Sequence, residues 1–388
     1  MTDVIIASVG QTAVGEHWEL SLRDLAFEAI EAALKDAYGL FPQAIYVGNM
    51  LAPVISRQSH LGTLIADYTG LENVEAYTIE AGGASGGAAL RQAYLAIASG
   101  AVDVALVVGV EKFTDQIGSS VESALSVPLD SDYEAIHGLT PTAQMALLMR
   151  RYMYEYGVKH EDFGCFPLVA HANGAGNPNA MYRKPIKAET YQKAGIVCDP
   201  LNLFDIAPEG DGAAALVLAR RDLLPPADYP TPFVRISGSS MVCDTLALHD
   251  RRNPLEMSAI RISVQQACRQ AGILPQDVDF FELSDSASIM AALSLEAAGF
   301  AERGKGLSYC QSGACTLQGE LPILTMGGMK ARGNVGGASG VYQAVEAVLQ
   351  LRGTAGQNQI PNAKLGLIQC VGGAASSVAT HVLERITE

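Results

Sequence analysis

The chain is 388 residues long, 49% apolar and 17% charged, which is enough for two domain-sized cores or one large fused core. With 41 acidic against 26 basic side chains, its net charge is −15, so no cationic surplus exists to neutralise nucleic-acid phosphates, although a local basic cluster can still hold a small anion. The seven cysteines are scattered without a C-x-x-C pair, no histidines stand near them at zinc-ligand spacing, and no apolar run reaches membrane-spanning length; these features predict a reduced, cytoplasmic chain with no signal peptide, no membrane span and no metal site.

Residues 4–10 read as a short apolar strand. Over 21–37, apolar residues recur at 22, 25, 26, 29, 30, 33 and 34, the period of a helix, with Ser21 and Asp24 as its start signal. A strand follows at 44–50, then a helix at 60–70 that ends in glycine. Strands at 74–81 and 102–111 flank a helix at 88–100. Continuous apolar strands alternating with helices predict a parallel sheet covered on both faces. From 112 to 205 the alternation breaks into isolated helical pieces, such as 141–157, and loops rich in Asn, Pro and Gly. That stretch stays apolar and aromatic, which predicts an insertion over the sheet rather than a linker. A strand returns at 212–219. After Pro230 the order repeats: strand 233–240, helix 258–272, strand 278–284, helices 288–299 and 337–353, and strands 365–371 and 376–384. Two runs of the same order predict duplicated halves.

The segment TIEAGGASGGAALRQAY at 78–94 passes from strand through a glycine-crowded bend into a helix. Gly83–Gly87 fits G-x-S-x-G, the pattern that exposes a nucleophilic serine on a tight turn. A hydrolase built on Ser85 also needs an acid and then a histidine on a loop. The last histidine, His381, instead falls inside the strand-like run 376–384, and no H-G-G-G-like segment precedes residue 83. The other reading is that the small residues let a helix and the backbone pack closely.

Longer strings set the chain beside a known family. GLTPTAQMALLMRRYMYEYG (138–157), HANGAGNPNAMYRKPI (171–186), CDPLNLFDIAPEGDGAAALVLA (198–219), TLALHDRR (245–252), GELPILTMGGMKARG (319–333) and QCVGGAASS (369–377) resemble, in order and over essentially the whole chain, the thiolase superfamily. Within it, the likeness is to archaeal acetoacetyl-CoA thiolases and sterol-carrier-type thiolases. The resemblance implies a five-layered α/β/α/β/α fold with duplicated halves and mixed, mainly parallel sheets. It sets residues 1–111 and 206–228 as the N-terminal half, 112–205 as a loop domain and 229–388 as the C-terminal half. It also implies a homodimer, or a dimer of dimers, paired near residues 77–81.

The resemblance further locates a site. Thiolases carry their nucleophilic cysteine in a segment like E-A-x-C-A-S-G, at a helix N-terminus that lowers the thiol pKa. The matching EAGGASG at 80–86 sets Gly83 at that position, and glycine cannot take an acyl group. Ser284 stands for the histidine of H-D-x-F, with Asp285 kept. Asn334 stands for the histidine of G-H-P-x-G, and Cys370 matches the cysteine of C-x-G-G. Ser284, Asp285, Asn334, Ser339 and Cys370 would then face the pocket, with Ser339 against CoA. Asn334 would donate to an enolate oxygen. Asp285 would be a base or a helix cap, and Cys370 a proton shuttle or a small buried hydrophobe. The missing side chain at 83 is expected to widen the reactive end by one side-chain volume. Arg183 and Lys184, with Lys187, lie in the loop that covers CoA in thiolases and would hold its phosphates, unless they form a solvated charge run.

Three function classes follow from the resemblance. The first is carbon–carbon chemistry on a CoA thioester without an acyl-enzyme, as in an aldol or retro-aldol lyase. The second is a non-catalytic subunit that binds acyl-CoA beside an active thiolase or a small zinc-ribbon/OB-fold partner. The third is an acetyl-CoA acyltransferase with a non-standard site. In each, a CoA thioester is substrate or ligand and no further cofactor is expected.

Overall fold

The computed structural model describes residues 3–225 and 232–386; the expected boundary between the halves, at 228/229, lies outside the described residues. In the first half the order is β1 (Val4–Gln11), α1 (Leu22–Lys35), β2 (Ala44–Gly48), α2 (Leu61–Tyr68), β3 (Glu75–Ile79), α3 (Ser85–Ala98) and β4 (Val104–Glu111). Then come α4 (Ser119–Leu125), α5 (Pro141–Tyr156), α6 (Cys165–Gly174), α7 (Ala188–Gln192), the small hairpin β5 (Ile196–Cys198) and β6 (Leu201–Asn202), and β7 (Gly212–Arg220). The second half runs β8 (Phe233–Cys243), α8 (Ser258–Ala271), β9 (Phe280–Glu282), α9 (Ser288–Ala298), α10 (Gly306–Gln311), α11 (Gly328–Ala331), α12 (Ser339–Arg352), β10 (Leu365–Gly372) and β11 (Ser377–Ile386). Helix α1 opens on the signal read in the sequence: the Ser21 hydroxyl accepts from Asp24 N–H, and the Asp24 carboxylate accepts from Ser21 N–H at 2.9 Å.

Strand order is β3-β2-β4-β7-β1-β8-β11-β10-β9, one continuous sheet whose halves meet through only two residue pairs, Ile5 with Arg235 and Ile6 with Val234. Within this sheet, every first-half strand but β7 runs the same way, and every second-half strand but β11 does, so each half of it is mixed and mainly parallel. The halves repeat one order of elements: β1, β2, β4 and β7 answer to β8, β9, β10 and β11, and α1, α2 and α3 answer to α8, α9 and α12. A parallel bridge from Phe281 to Ile323 stands where β3 stands beside β2.

Alternation along the strands sorts the apolar residues into layers. Ile5 and Ala7 of β1 turn to a core shared with α1 and α2, whereas Val4 and Ile6 turn to a core built on α3 and α12. A third core joins α8 and α9 to the far face of the second half and takes in Met145, Phe163 and Phe166 of the inserted segment. Helix, sheet, paired central helices, sheet and helix make five layers. Helix α3 begins three residues before the expected 88. Gly86 and Gly87 lie inside it because a methyl group on Gly86 would stand 2.9 Å from Gly337 O, and one on Gly87 2.7 Å from Cys370 Sγ. The glycines that look like a bend in sequence are the price of close contact between α3, α12 and β10.

Candidate functional site

Three glycine-bearing turns, at Gly83, Gly336 and Gly373, and two inserted helices, α4 and α5, converge on a cavity of about 120 Å³ at the C-terminal ends of the central strands. Its wall includes Gly83, Glu122, Glu209, Ser286, Asn334 and Gly373. Glu111 braces the rim from behind: its buried carboxyl accepts from Met50 N, Leu51 N and Gly337 N, each at 3.0 Å, and from Asn49 Nδ2 at 2.9 Å. Burial pushes that carboxyl up to about 7 despite the four donors.

Gly83 closes the turn before α3. A methyl group built on it would stand 2.6 Å from the carbonyl oxygen of Val371, below any real carbon–oxygen contact. The space that a side chain at 83 would need is therefore filled by the β10 backbone, and the expected widening by one side-chain volume is not there. Gly83→Cys is expected to lower stability by about 1–3 kcal/mol through overpacking, read in a denaturant titration. Full stability in that variant would mean the turn has room for a thiol. Ser85 is fully buried, donates to Gly82 O at 2.6 Å and accepts from Ala81 N at 2.9 Å. His381 is buried in β11, bonded to Gly87 O at 3.0 Å and pushed down to about 4 by burial. Neither has the exposure or partners of a hydrolase pair.

Of the other residues singled out in the sequence, only Asn334 lines the cavity. Its Oδ1 accepts from Gly336 N at 3.2 Å and from Ser339 Oγ at 3.3 Å, which leaves the NH2 as its donor end. Its backbone is pinned to the neighbouring 206–210 segment, with N–H to Pro208 O at 2.7 Å and Gly210 N–H to its carbonyl at 2.9 Å. Ser339, expected against CoA, is buried at the start of α12, where it holds Val335 N at 3.1 Å and the Asn334 side chain. Ser284 is buried between strands, donating to Gln369 O at 2.9 Å and accepting from Val371 N at 3.1 Å. Asp285 takes up the helix-cap alternative, accepting from Met329 N at 2.7 Å and Lys330 N at 3.3 Å in α11; burial raises its carboxyl. The Cys370 thiol packs between Gly87 and Gly340 in the central core, and burial pushes it up to about 12. Arg183, Lys184 and Lys187 are exposed and line neither this cavity nor any other described here.

The residues that sequence reasoning missed are two carboxyls. Glu209 sits in APEGDG at 207–212, between β6 and β7, and forms a parallel bridge with Asn334. It faces the cavity together with Glu122 of α4. Burial raises the Glu209 carboxyl above its ordinary range; its own backbone N–H pulls it back and the charge of Glu122 adds to the rise. With Asp211 two residues on, no local signal singles out Glu209; only the fold brings it into one cavity wall with Asn334 and Gly83. Among the described residues no cluster of His, Cys, Asp or Glu is arranged to hold a metal, and no helix is long and apolar enough to cross a membrane.

The N-terminal domain model of thiolases matches residues 4–222, and the thiolase C-terminal domain-like model matches residues 240–385. This chain belongs to the thiolase family. The thiolase-family chain is 38% identical to an acetyl-CoA acetyltransferase of Methanothermobacter thermautotrophicus, over 99% of this chain and 100% of that protein. It is 30% identical to a 17-hydroxy-3-oxo-4-pregnene-20-carboxyl-CoA lyase of Mycobacterium tuberculosis, over 90% and 91% of the two chains. A solved Ltp2-ChsH2(DUF35) aldolase matches with a TM-score of 0.84 at 27% identity, covering 99% of this thiolase-family chain and 98% of its own.

Proposed function

We propose that this chain binds a CoA thioester and makes or breaks a carbon–carbon bond through an enolate, with no acyl-enzyme, as an aldol or retro-aldol lyase acting on a β-hydroxyacyl-CoA. The observation that carries the reading is the wall of the small cavity: Gly83 with the Val371 carbonyl against it, and Glu209 and Asn334, joined by a backbone bridge, both lining it. In the cleavage direction the Glu209 carboxylate removes the β-hydroxyl proton and the Cα–Cβ bond breaks. The β-carbon leaves as an aldehyde or ketone, and the electron pair passes to the thioester enolate. Asn334 Nδ2 donates to the enolate oxygen, and Glu209 returns the proton to Cα. Nothing in that sequence needs a thiol. The lyase at 30% identity and the aldolase structure support the assignment of reaction class.

The discriminating experiment sets two assays on one preparation. Acetoacetyl-CoA thiolysis should be undetectable, and a panel of β-hydroxyacyl-CoAs should contain one that is cleaved to acyl-CoA and a carbonyl product. Thiolysis at ordinary enzymatic rates would establish the acetyltransferase reading instead, the activity named for the relative at 38% identity.

A subunit role is the second reading. The aldolase neighbour is named with a DUF35 component, and the inserted segment here exposes Ile117 (75%), Tyr133 (67%), Ile136 (72%) and Tyr154 (83%), apolar area suited to a small zinc-ribbon/OB-fold partner. Turnover by the chain alone rejects a purely non-catalytic role. The CoA phosphates are assigned to the exposed run Arg183, Lys184 and Lys187; Arg183→Ala should weaken CoA binding in calorimetry, and unchanged affinity would remove the run from the site. Strand β3 has a partner on one side only, with Tyr77 half exposed and stacked on Tyr46 at 5.6 Å, which favours a homodimer or dimer of dimers through this edge. A monomer by light scattering at micromolar concentration would contradict that.

A further inference from the structure

All seven cysteines are free thiols, and three of them meet in the core that joins α9 to the inserted segment, outside the wall of the small cavity. Cys310, in α10, touches the side chains of Cys165 and Cys315 at once. Cys165 opens α6 in the inserted segment, Cys310 belongs to the second half, and Cys315 falls in the turn after α10. The proposed reaction uses none of them.

The bonds around the thiols fix the elements that carry them. Gln311 Nε2, next to Cys310, donates to Asp162 O at 3.3 Å and to Asp162 Oδ1 at 3.2 Å, which ties the end of α10 to the helical turn before α6. Cys315 O accepts from Ile323 N at 3.3 Å, and Asn173 Nδ2 of α6 donates to Ile323 O at 3.1 Å. Groups held together in this way react as though highly concentrated. Access differs from thiol to thiol. Cys165 is partly exposed, Cys310 is 3% exposed and Cys315 is fully buried. Its bonds to Cys165 and then Cys315, and burial, hold the Cys310 thiol well above the ordinary range, so it stays protonated. Such a thiol does not react first with an oxidant from solvent. It meets instead the product formed on Cys165.

We propose that Cys165 and Cys310 form a redox site, in which a hydroperoxide oxidises the accessible Cys165 and a disulfide to Cys310 then locks the inserted segment onto the second half. In the first step the Cys165 sulfur attacks the peroxide. An S–O bond forms, the O–O bond breaks, and the thiol proton leaves with the other oxygen as water or an alcohol. In the second step the Cys310 sulfur attacks the sulfenic sulfur. The S–S bond forms, the S–O bond breaks, and the Cys310 proton leaves with the hydroxyl as water. Two thiols are oxidised and one hydroperoxide is reduced. The segment fixed by this bond carries Glu122, Pro141 and Gln144 of the small cavity's wall.

Hydrogen peroxide added to the native whole protein, followed by alkylation of the remaining thiols and peptide mapping, tests this. The wild type should yield a Cys165–Cys310 link that dithiothreitol removes, and in Cys165→Ser Cys310 should remain a thiol. Oxidation of the exposed Cys243 reports that the oxidant acted. The linked form should unfold at a higher urea midpoint than the reduced form, because the bond closes a long loop in the unfolded chain. Oxidised Cys243 beside a Cys310 that is still a thiol, a Cys310 link to Cys315 alone, or a midpoint no higher after linking would each overturn the site. No CoA ester enters the test, so its outcome is independent of the lyase assays.

Discussion

Glu209→Gln is expected to slow carbon–carbon cleavage, and the reverse condensation, by about a hundred- to ten-thousand-fold, the usual worth of a positioned general base or acid. Glutamine keeps the shape of the wall and its bridge to Asn334 but carries no proton to exchange. CoA-ester affinity should change little, which separates loss of chemistry from loss of the pocket. The working form of the base is the carboxylate, so the rate should fall as pH drops through the Glu209 pKa. That limb should lie above the range of an ordinary carboxyl, because burial first, and then Glu122, push Glu209 up. Glu122→Gln removes one raising charge and should move the limb to lower pH. A limb that stays in place would mean that another group is the base.

Arg332→Met should have the largest effect on stability, about 3–5 kcal/mol, because it strands buried carboxylates. Arg332 is 1% exposed, pairs with Glu346 at 2.9 Å and lies over the Tyr342 ring at 5.1 Å. Glu282 stands next to Glu346 and is bonded to Thr325 N–H at 3.1 Å; burial, and then Glu346, push it up to about 8, while Arg332 pulls it down. Burial raises Glu346 as well, against the pull of Arg332. Carboxyls raised above the ordinary 4.5 favour the fold below that pH and lose the advantage as pH climbs through about 8. The deficit of Arg332→Met should therefore be larger above pH 8 than below pH 4.5, and Arg332→Met combined with Glu346→Leu should recover part of it. A uniform loss across pH, with no recovery, would reduce Arg332 to a packing residue.

Much of the fold was legible because burial is written in period. Apolar runs at 4–10 and 102–111 and the helical spacing after Ser21 mark elements whose edges move by only a few residues in the structure. The duplication was legible through repetition of element order, and the five layers through the resemblance to thiolases. The start of α3 was misread because Gly86 and Gly87 look like a turn from inside the sequence, and only contact with α12 and Cys370 explains them. The candidate site was legible as a neighbourhood and much less as a set of side chains. A match along the chain gives a residue's position but not its direction. Asn334 faces the cavity, while Ser284, Asp285, Ser339 and Cys370, placed by the same reasoning, turn to the backbone or the core. Glu209 escaped notice for the converse reason: nothing local distinguishes a carboxyl beside a turn from a solvated one until the fold buries it.

In the proposed reaction an enolate forms at a site that holds no acyl-enzyme. The measurement that meets it most directly is exchange of the α-protons of a short acyl-CoA in deuterium oxide, followed by mass spectrometry of both the thioester and the intact protein. Deuterium should enter the thioester α-position in the wild type, that exchange should be lost in Glu209→Gln, and no acyl mass should be added to the protein. An acylated protein, or wild-type exchange no faster than in buffer for every acyl-CoA offered, would contradict it.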